Sequence, residues 1–270
     1  FDDSSHFDHI QRNNYYSIII LLSGSGKFKA DFSSYDFAGP ALMSFSLYQP
    51  YMISNSENLS GICLNFHPDF FCIYRHQKEV ACSGVLFNNI YQPPFIRLND
   101  KDVNTFCALI EQMRTEMQNT EMAQYELLVS YLKILLITAS RLWVSQGPDI
   151  QNNLSGLKEP FVLQNLKDAI EEHFKTKHSP AEYADLLNIS AKALAKITRN
   201  HFNKTLTNMI AERIIIEAKR ELYMTSKPVK SIAYELGFND EFYFSRFFKN
   251  NAEVSPQLYR DTVGFARGEA

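Results

Sequence analysis

The pattern of apolar and polar positions changes period near Asn99. Before that point it is short and strand-like. Residues 15–22, YYSIIILL, form a β-branched and aromatic run of the kind that fills a buried strand. Gly24-Ser25-Gly26 reads as a turn, and residues 27–32, KFKADF, alternate loosely and predict a return strand. Four further short strands come next, at Ala41–Phe45, Tyr51–Ile53, Gly61–Phe66 and Val85–Ile90. Gly39-Pro40, Gln49-Pro50, Ser54-Asn55 and His67-Pro68 punctuate them. Short strands at this spacing predict a sandwich or barrel.

After Asn99 the period is helical. Residues 100–118 carry Val103, Phe106, Cys107, Ile110 and Met113 on one face. Thr120 is placed to cap a second helix, 121–146, with Leu128, Leu132, Leu135, Leu136, Ala139, Leu142 and Trp143 on its apolar side. Residues 147–158, GPDIQNNLSGLK, have the composition of a linker. A helix over 161–174 comes next. Ser179-Pro180-Ala181-Glu182 is a capping box with proline at the first helical position, opening a helix that runs to Leu187. Asn188-Ile189 turn the chain, and Ser190 caps a helix over 191–202. A long helix of about 207–223 leads to the final stretch.

That stretch, 231–260, reads as helix, tight turn, helix, stop, helix. Ile232, Ala233 and Leu236 form an apolar stripe, Gly237 breaks it, Phe238 plugs the turn and Asp240 caps the next helix. Phe244, Phe247 and Phe248 then share one face. Phe242, Ser245, Arg246 and Lys249 share the other. The same arrangement occurs 50 residues earlier. Ser190 matches Asp240; Leu194, Ile197 and Thr198 match the three phenylalanines; Lys192, Ala195, Lys196 and Arg199 match the polar face. The chain therefore predicts two helix-turn-helix units joined by a long helix.

A helix that packs by one face and shows a basic polar face suits a DNA major groove. On the first recognition helix, Lys192 and Lys196 can reach base edges or phosphates, Ala195 leaves room, and Arg199 is placed for phosphate. On the second, Arg246 is the candidate for bidentate contact with guanine. Glu241 can accept from cytosine, and Phe242 can pack on a thymine methyl. Ser245 shares that face, and Lys249 suits phosphate.

The sequence Ile232-Ala233-x-x-Leu236-Gly237-Phe238-x-Asp240-x-x-Tyr243-Phe244-x-Arg246-x-Phe248-Lys249, followed by Ser255-Pro256-x-x-Tyr259-Arg260, resembles the signature of AraC-type transcriptional regulators. One position departs: the family has glycine two residues before the serine, and this chain has Glu253. A left-handed turn there costs a non-glycine residue roughly 1 kcal/mol. The resemblance implies an α+β chain. A cupin-like β-barrel with two helices at 1–146 would bind an effector and dimerise. A linker at 147–158 and an all-α double helix-turn-helix DNA-binding domain at 159–270 would complete it. The resemblance also implies promoter DNA, a small-molecule effector, a homodimer and, for an activator, RNA polymerase as partners, in the cytoplasm and off the membrane. The helices 100–118 and 121–146 form either the dimer interface or a lid on their own barrel. Tyr35, Phe45, Tyr48 and Tyr51 can line the barrel and stack on a sugar or aromatic effector, or they simply pack its core.

Charge refines this picture. Residues 1–155 hold 10 Lys and Arg against 15 Asp and Glu, while residues 156–270 hold 17 against 15. An acidic first half thus masks a mildly basic second half within a net charge of −3. Non-specific DNA affinity is expected to be modest, because that term scales with phosphates neutralised. Cys63, Cys72, Cys82 and Cys107 form no CxxC pair and read as free thiols. No His-x-His occurs, so no metal site is expected and no cofactor is implied. Gly24-Ser25-Gly26 lacks the rest of a phosphate loop. FDDSSHFDHI is too polar for a signal peptide, and no apolar run reaches a membrane span of roughly 18 residues. Two alternatives to an effector-controlled regulator stay open. One is a barrel enzyme whose helices serve assembly; the other is a regulator whose barrel only dimerises.

Overall fold

The structure, a computed structural model, describes residues 1, 7–80, 85–119, 121–155 and 161–263. It divides into two compact units, Phe1–Asn89 with Pro93–Gly147, and Ile90–Gln92 with Pro148–Ala270. The first is a curled antiparallel sheet with helices. The second is helical throughout its elements.

The sheet is built on a long pair, β1 (Tyr16–Ala30) and β4 (Tyr51–Phe66). Two short strands share the other edge of β1. β2 (Ser33–Ala38) pairs with its second half, and β3 (Ala41–Phe45) with its first. β5 (Phe95–Arg97) adds to β3. Register shifts between Leu21 and Lys27 bend β1 against β4, and bulges of this kind raise local twist and curl a sheet. The result is a half-barrel; among the described residues no pairing closes it.

Three expectations change here. Gly24-Ser25-Gly26 is no turn, because β1 runs straight through it. Gly24 has φ +105°, and a Cβ on it would lie 2.8 Å from the Leu59 Cα and 2.9 Å from two carbonyl oxygens of β4. The glycine is needed for close strand approach at a bulge, not for reversal. The reversal comes at Asp31, whose amide donates to the Pro50 carbonyl at 2.9 Å. Likewise Ser54-Asn55 lies inside β4, so Tyr51–Ile53 and Gly61–Phe66 are one strand. Residues 85–90 form a turn, a single bridge at Phe87 and a bend rather than a strand. Leu86, Phe87 and Ile90 are buried, which explains their apolar character. Asn88 has φ +64°, and the Leu86 carbonyl accepts from the Ser44 hydroxyl instead of from a ladder. The strand beside β3 is the three-residue β5.

One face of the sheet gathers Phe7, Ile19, Leu21, Phe28, Phe37 and Met43 into an apolar cluster with their neighbours. A four-residue helix, α1 (Gln77–Val80), precedes β5. After it come α2 (Asp100–Gln118) and α3 (Gln124–Ser155). Asn99 caps α2 with a complete capping box through Asp102. Phe106, Leu109, Ile110 and Met113 face inward from α2, which lies against β1. Leu132, Leu135, Leu136, Ala139 and Trp143 are buried from α3. Residues Gln124–Gln146 are long and apolar enough, by length and composition alone, to cross a membrane. About a third of this apolar stretch is buried, 33%, and polar side chains pin the helix as well. Lys133 pairs with Glu79, and the Gln146 side-chain amide pairs with both backbone groups of Arg97, at 2.8 and 3.2 Å, which covers the free edge of β5. The expected linker at 147–158 is helical to Ser155 as the end of α3. Thr120, expected as a cap, and residues 156–160 lie outside the described residues.

The second unit contains α4 (Phe161–His173), α5 (Pro180–Leu186), α6 (Ala191–Phe202), α7 (Leu206–Met224), α8 (Val229–Glu235), α9 (Glu241–Ala252) and α10 (Pro256–Val263). α7 is the shared spine. Met209, Ile210, Ile214, Ala218 and Leu222 are buried along it, and α4, α6, α8, α9 and α10 all pack on it.

Candidate nucleic-acid interface

Two pairs, α5–α6 and α8–α9, repeat one local design. α5 is closed when the Leu187 amide donates to Tyr183 O and the Ile189 amide to Ala184 O. α8 is closed in the same way, by the Leu236 amide to Ile232 O and the Phe238 amide to Ala233 O. In each pair the six-to-one bond spans a left-handed residue, Asn188 (φ +54°) or Gly237 (φ +81°), as in a Schellman turn. Ile189 or Phe238 comes next as the apolar plug. The Phe238 ring lies 5.2 Å from Phe244, 5.1 Å from Phe247 and 4.8 Å from His178.

The recognition helices begin at caps. Ser190 Oγ accepts from the Ala193 amide, and Asp240 accepts from the amides of Phe242 and Tyr243. Leu194, Thr198 and Phe202 of α6 are buried, as are Phe244, Phe248 and Ala252 of α9. Thr198, which stands where α9 has a phenylalanine, gives its hydroxyl to the backbone carbonyls of Leu194 and Ala195. The repeat continues past both helices. Asn203 and Glu253 are left-handed C-caps, each donating to a carbonyl four residues back. Thr205 then caps α7, and the Ser255 hydroxyl accepts from the Leu258 amide at the start of α10. The offset is 50 residues from Ser190 onward but 49 in α5–α8, because the second unit carries one extra residue, Asn239, in its turn.

A polar frame fixes the first helices. Glu182 accepts from the Ser179 hydroxyl at 2.7 Å and from the amides of Ser179 and His178, which holds its carboxyl below the usual range. Arg260 donates to the carbonyls of Leu222 and Lys227, at 3.0 and 2.7 Å, tying α10 to the α7–α8 connection. The Arg213 guanidinium stacks 3.9 Å from the Phe174 ring centroid and bonds Glu171.

Lys192, Ala195, Lys196 and Arg199 lie exposed on α6. Phe242, Arg246 and Lys249 are exposed on α9, with Glu241 and Ser245 half-buried beside them. Their charges set these residues apart. The described residues 161–263 hold 15 Lys and Arg. The side chains of five of them, Lys192, Lys196, Arg199, Arg246 and Lys249, form no hydrogen bond, ion pair or ring contact with the described chain. The others meet a carboxylate, a carbonyl or an aromatic ring, as Lys227 does with Glu221 and Glu235, or lie in the field of a carboxylate, as Lys177 does beside Glu182. The Glu241 carboxylate likewise has no partner within the described chain. Sequence reasoning overlooked Tyr243 as part of this surface. It is 57% exposed although it sits on the Phe238 side of the helix, and only its position between the two helical faces hinted at that.

The aromatic residues of the half-barrel are placed differently. Phe45 and Tyr51 are buried and stack at 3.9 Å with an interplanar angle of 5°. Tyr35 is half-buried and stacks on Phe28 at 5.0 Å. Burial pushes the Tyr51 phenol up to about 12 and the nearby Cys63 thiol up to about 11. Tyr48 is half-buried with φ +50°, outside the apolar cluster that holds the other three.

Residues 183–262 match a family model described as a helix-turn-helix domain. The chain is 24% identical over 252 residues to the HTH-type transcriptional activator RhaS of an Enterobacter species, covering 92% of this chain and 86% of that one. It is 34% identical over 85 residues to the HTH-type transcriptional activator Btr of Bacillus subtilis, covering 32% of this chain and 16% of that one. Among solved structures, ToxT from Vibrio cholerae aligns over 95% of this chain and 92% of that chain, at 15% identity and a TM-score of 0.43.

Proposed function

We propose that this chain, which is a DNA-binding transcription regulator of the AraC type, grips promoter DNA through the exposed faces of α6 and α9. One observation carries the assignment of residues. Apart from Lys177, which lies in the field of Glu182, the cations without a hydrogen bond, ion pair or ring contact among the described residues of the second unit are those of the two recognition faces, Lys192, Lys196, Arg199, Arg246 and Lys249. A helical unit that pairs most of its other cations internally and leaves these five bare on two equivalent helices is suited to polyanion binding. α7 spaces the two helices, and consecutive major-groove segments lie one helical turn, ~34 Å, apart.

The rest of the reading extends from there. The half-barrel binds a small-molecule effector at Tyr35, Phe45, Tyr48 and Tyr51, and α2 and α3 pair two copies into a homodimer. Exposed Met117, Met122, Tyr125 and Ile134 on and between those helices support the second point. The regulator works in the cytoplasm and recruits RNA polymerase where it activates. Selection of bound DNA from a random pool, followed by gel-shift titration, tests the central claim. Wild-type protein should enrich one motif. The Lys196→Ala/Arg246→Ala variant should lose affinity for it by at least tenfold, and undiminished binding would refute the assignment.

A further inference from the structure

The two recognition faces differ in chemistry, and the difference can be read position by position. From the N-terminal end, where recognition helices meet base edges, α6 presents Ala191, Lys192, Ala195 and Lys196. The aligned positions of α9 present Glu241, Phe242, Ser245 and Arg246. On α6 the only hydrogen-bonding side-chain groups at these four positions are two ammonium ions. An ammonium is a compact point charge on a flexible stem, able to meet phosphate from many directions. α9 offers a carboxylate acceptor, an aromatic ring 68% exposed, a hydroxyl and a planar guanidinium fork. The carboxylate, the ring and the fork each have a directional counterpart on a base: the cytosine amine, the thymine methyl, and the two acceptors of guanine.

Glu241 is the most telling of these. It is the one carboxylate among the four leading positions of the two faces, and no cation of the described chain neutralises it. The neighbouring Asp240 is already committed to the amides of Phe242 and Tyr243, so Glu241 is not needed as a cap. A carboxylate cannot hold phosphate. At the tip of a helix that enters a groove it either meets a base amine or repels the backbone, and both outcomes depend on sequence and register.

We propose a division of labour in which α6 is the electrostatic anchor and α9 is the reader. Lys192, Lys196 and Arg199 supply affinity with little base preference. Glu241, Phe242 and Arg246 determine specificity, with cytosine, thymine and guanine as their preferred contacts. This rests on the DNA-binding assignment above and goes further by giving the two repeats separate tasks.

Full-length wild type, Lys192→Ala/Lys196→Ala, Glu241→Gln, Arg246→Ala and Arg246→Lys are compared by selection from a random pool and by titration of the selected duplex at several salt concentrations. All these side chains lie free of internal polar contacts among the described residues, and circular dichroism checks the fold of each variant. Lys192→Ala/Lys196→Ala should weaken binding to all sequences alike and lower the salt slope by about two, with the selected motif unchanged. Glu241→Gln should lose a preference at one position by about tenfold. Arg246→Lys should lose a guanine preference of similar size while keeping the wild-type salt slope, since charge is retained and the fork is not. A motif altered by the double lysine variant, or left intact by Glu241→Gln and Arg246→Lys, overturns the division. Wild type that enriches no motif overturns the DNA-binding assignment itself, so the two failures are distinct.

Discussion

Gly237→Ala tests how tightly the second helix-turn-helix unit is built into its domain. Gly237 has φ +81°, and an ideal Cβ there would lie 2.1 Å from the Lys175 carbonyl oxygen, 3.1 Å from its carbon and 3.3 Å from the His178 ring. Two costs add. The left-handed conformation costs alanine about 1 kcal/mol. The overlap with a backbone atom forces the turn to open or the end of the α4 segment to move, at the expense of the bonds from the Gly237 and Phe238 amides, each worth about 1 kcal/mol. Loss of unfolded-chain entropy returns about 0.4–1 kcal/mol. The net expectation is a destabilisation of about 2–3 kcal/mol. Asn188→Ala supplies the internal control. Asn188 has φ +54°, is exposed at the same turn, and closes α5 by the same pair of bonds. Removing it costs only the difference between asparagine and alanine in that conformation, about 0.5–1 kcal/mol. Because the chain has two units, a single melting curve would mix them. Hydrogen exchange of the amides in α8 and α9, and of those in α5 and α6 for the control, is read by mass spectrometry in the full chain and isolates each turn. If the two alanine variants lower protection by the same amount, the close approach of Gly237 to Lys175 contributes nothing and the argument fails.

Other positions give independent tests. Glu253 is left-handed with φ +61°, so Glu253→Gly relieves about 1 kcal/mol and gives back part of it as unfolded-state entropy; hydrogen exchange of the α9 and α10 amides should show local stability equal to wild type or a few tenths higher, and a loss beyond ~1 kcal/mol refutes the strain. Glu182 has its folded pKa depressed, first by the Ser179 hydroxyl. Its contribution is therefore present above the unfolded value of about 4.3 and fades as pH falls through the lower folded value. Glu182→Gln should be less stable than wild type at neutral pH, with the gap closing in acid; a gap independent of pH between about 3 and 7 would contradict this. The Cys63 thiol, pushed up to about 11 by burial, should react with iodoacetamide at a pH of about 8 roughly two orders of magnitude more slowly in the folded chain than in urea. Mass mapping of the alkylated peptide reads this out, and equal rates would remove the basis for that shift.

How much of the structure is legible in the sequence depends on the range of the interactions that set it. The second unit is legible because its determinants are local. Caps at Ser179, Ser190 and Asp240, a turn at Gly237 and the spacing of Phe244 and Phe248 lie within a few residues of the helices they define. The half-barrel is less legible because its determinants are distant. Gly24 has the composition of a turn but serves the approach of residues 57–59, and nothing near it in the chain says so. β5 is three residues long behind Pro93-Pro94 and owes its place to β3 and Gln146. Leu86 and Phe87 are apolar for packing alone, which imitates a strand when periodicity is the only guide.

The charge of the second half shows the same division in a form that bears on function. A net of +2 over residues 156–270 conceals the surface available to DNA, because most of its cations are used inside the fold. Which ones are used depends on tertiary geometry: Lys204 is buried against Glu212, Lys227 bridges Glu221 and Glu235, and Arg260 caps carbonyls of the α7–α8 connection. Within the described residues 161–263, subtracting the cations that are paired or, like Lys177, lie in the field of a carboxylate leaves five, and those five fall on equivalent faces of two helices. The relevant quantity for association is this unpaired set rather than the net charge, since only cations without an internal partner can take a phosphate or a base at no internal cost. Glu253 belongs to the same argument from the other side. It holds a left-handed cap that favours glycine, yet Asn203 holds the matching cap of the first repeat without glycine. Both are kept there by a bond to a carbonyl one turn back, from Asn203 to Arg199 and from Glu253 to Lys249. The turn geometry is thus imposed by the packing of α6 on α7 and of α9 on α10, and the residue at the cap adjusts its cost by about 1 kcal/mol without choosing its shape.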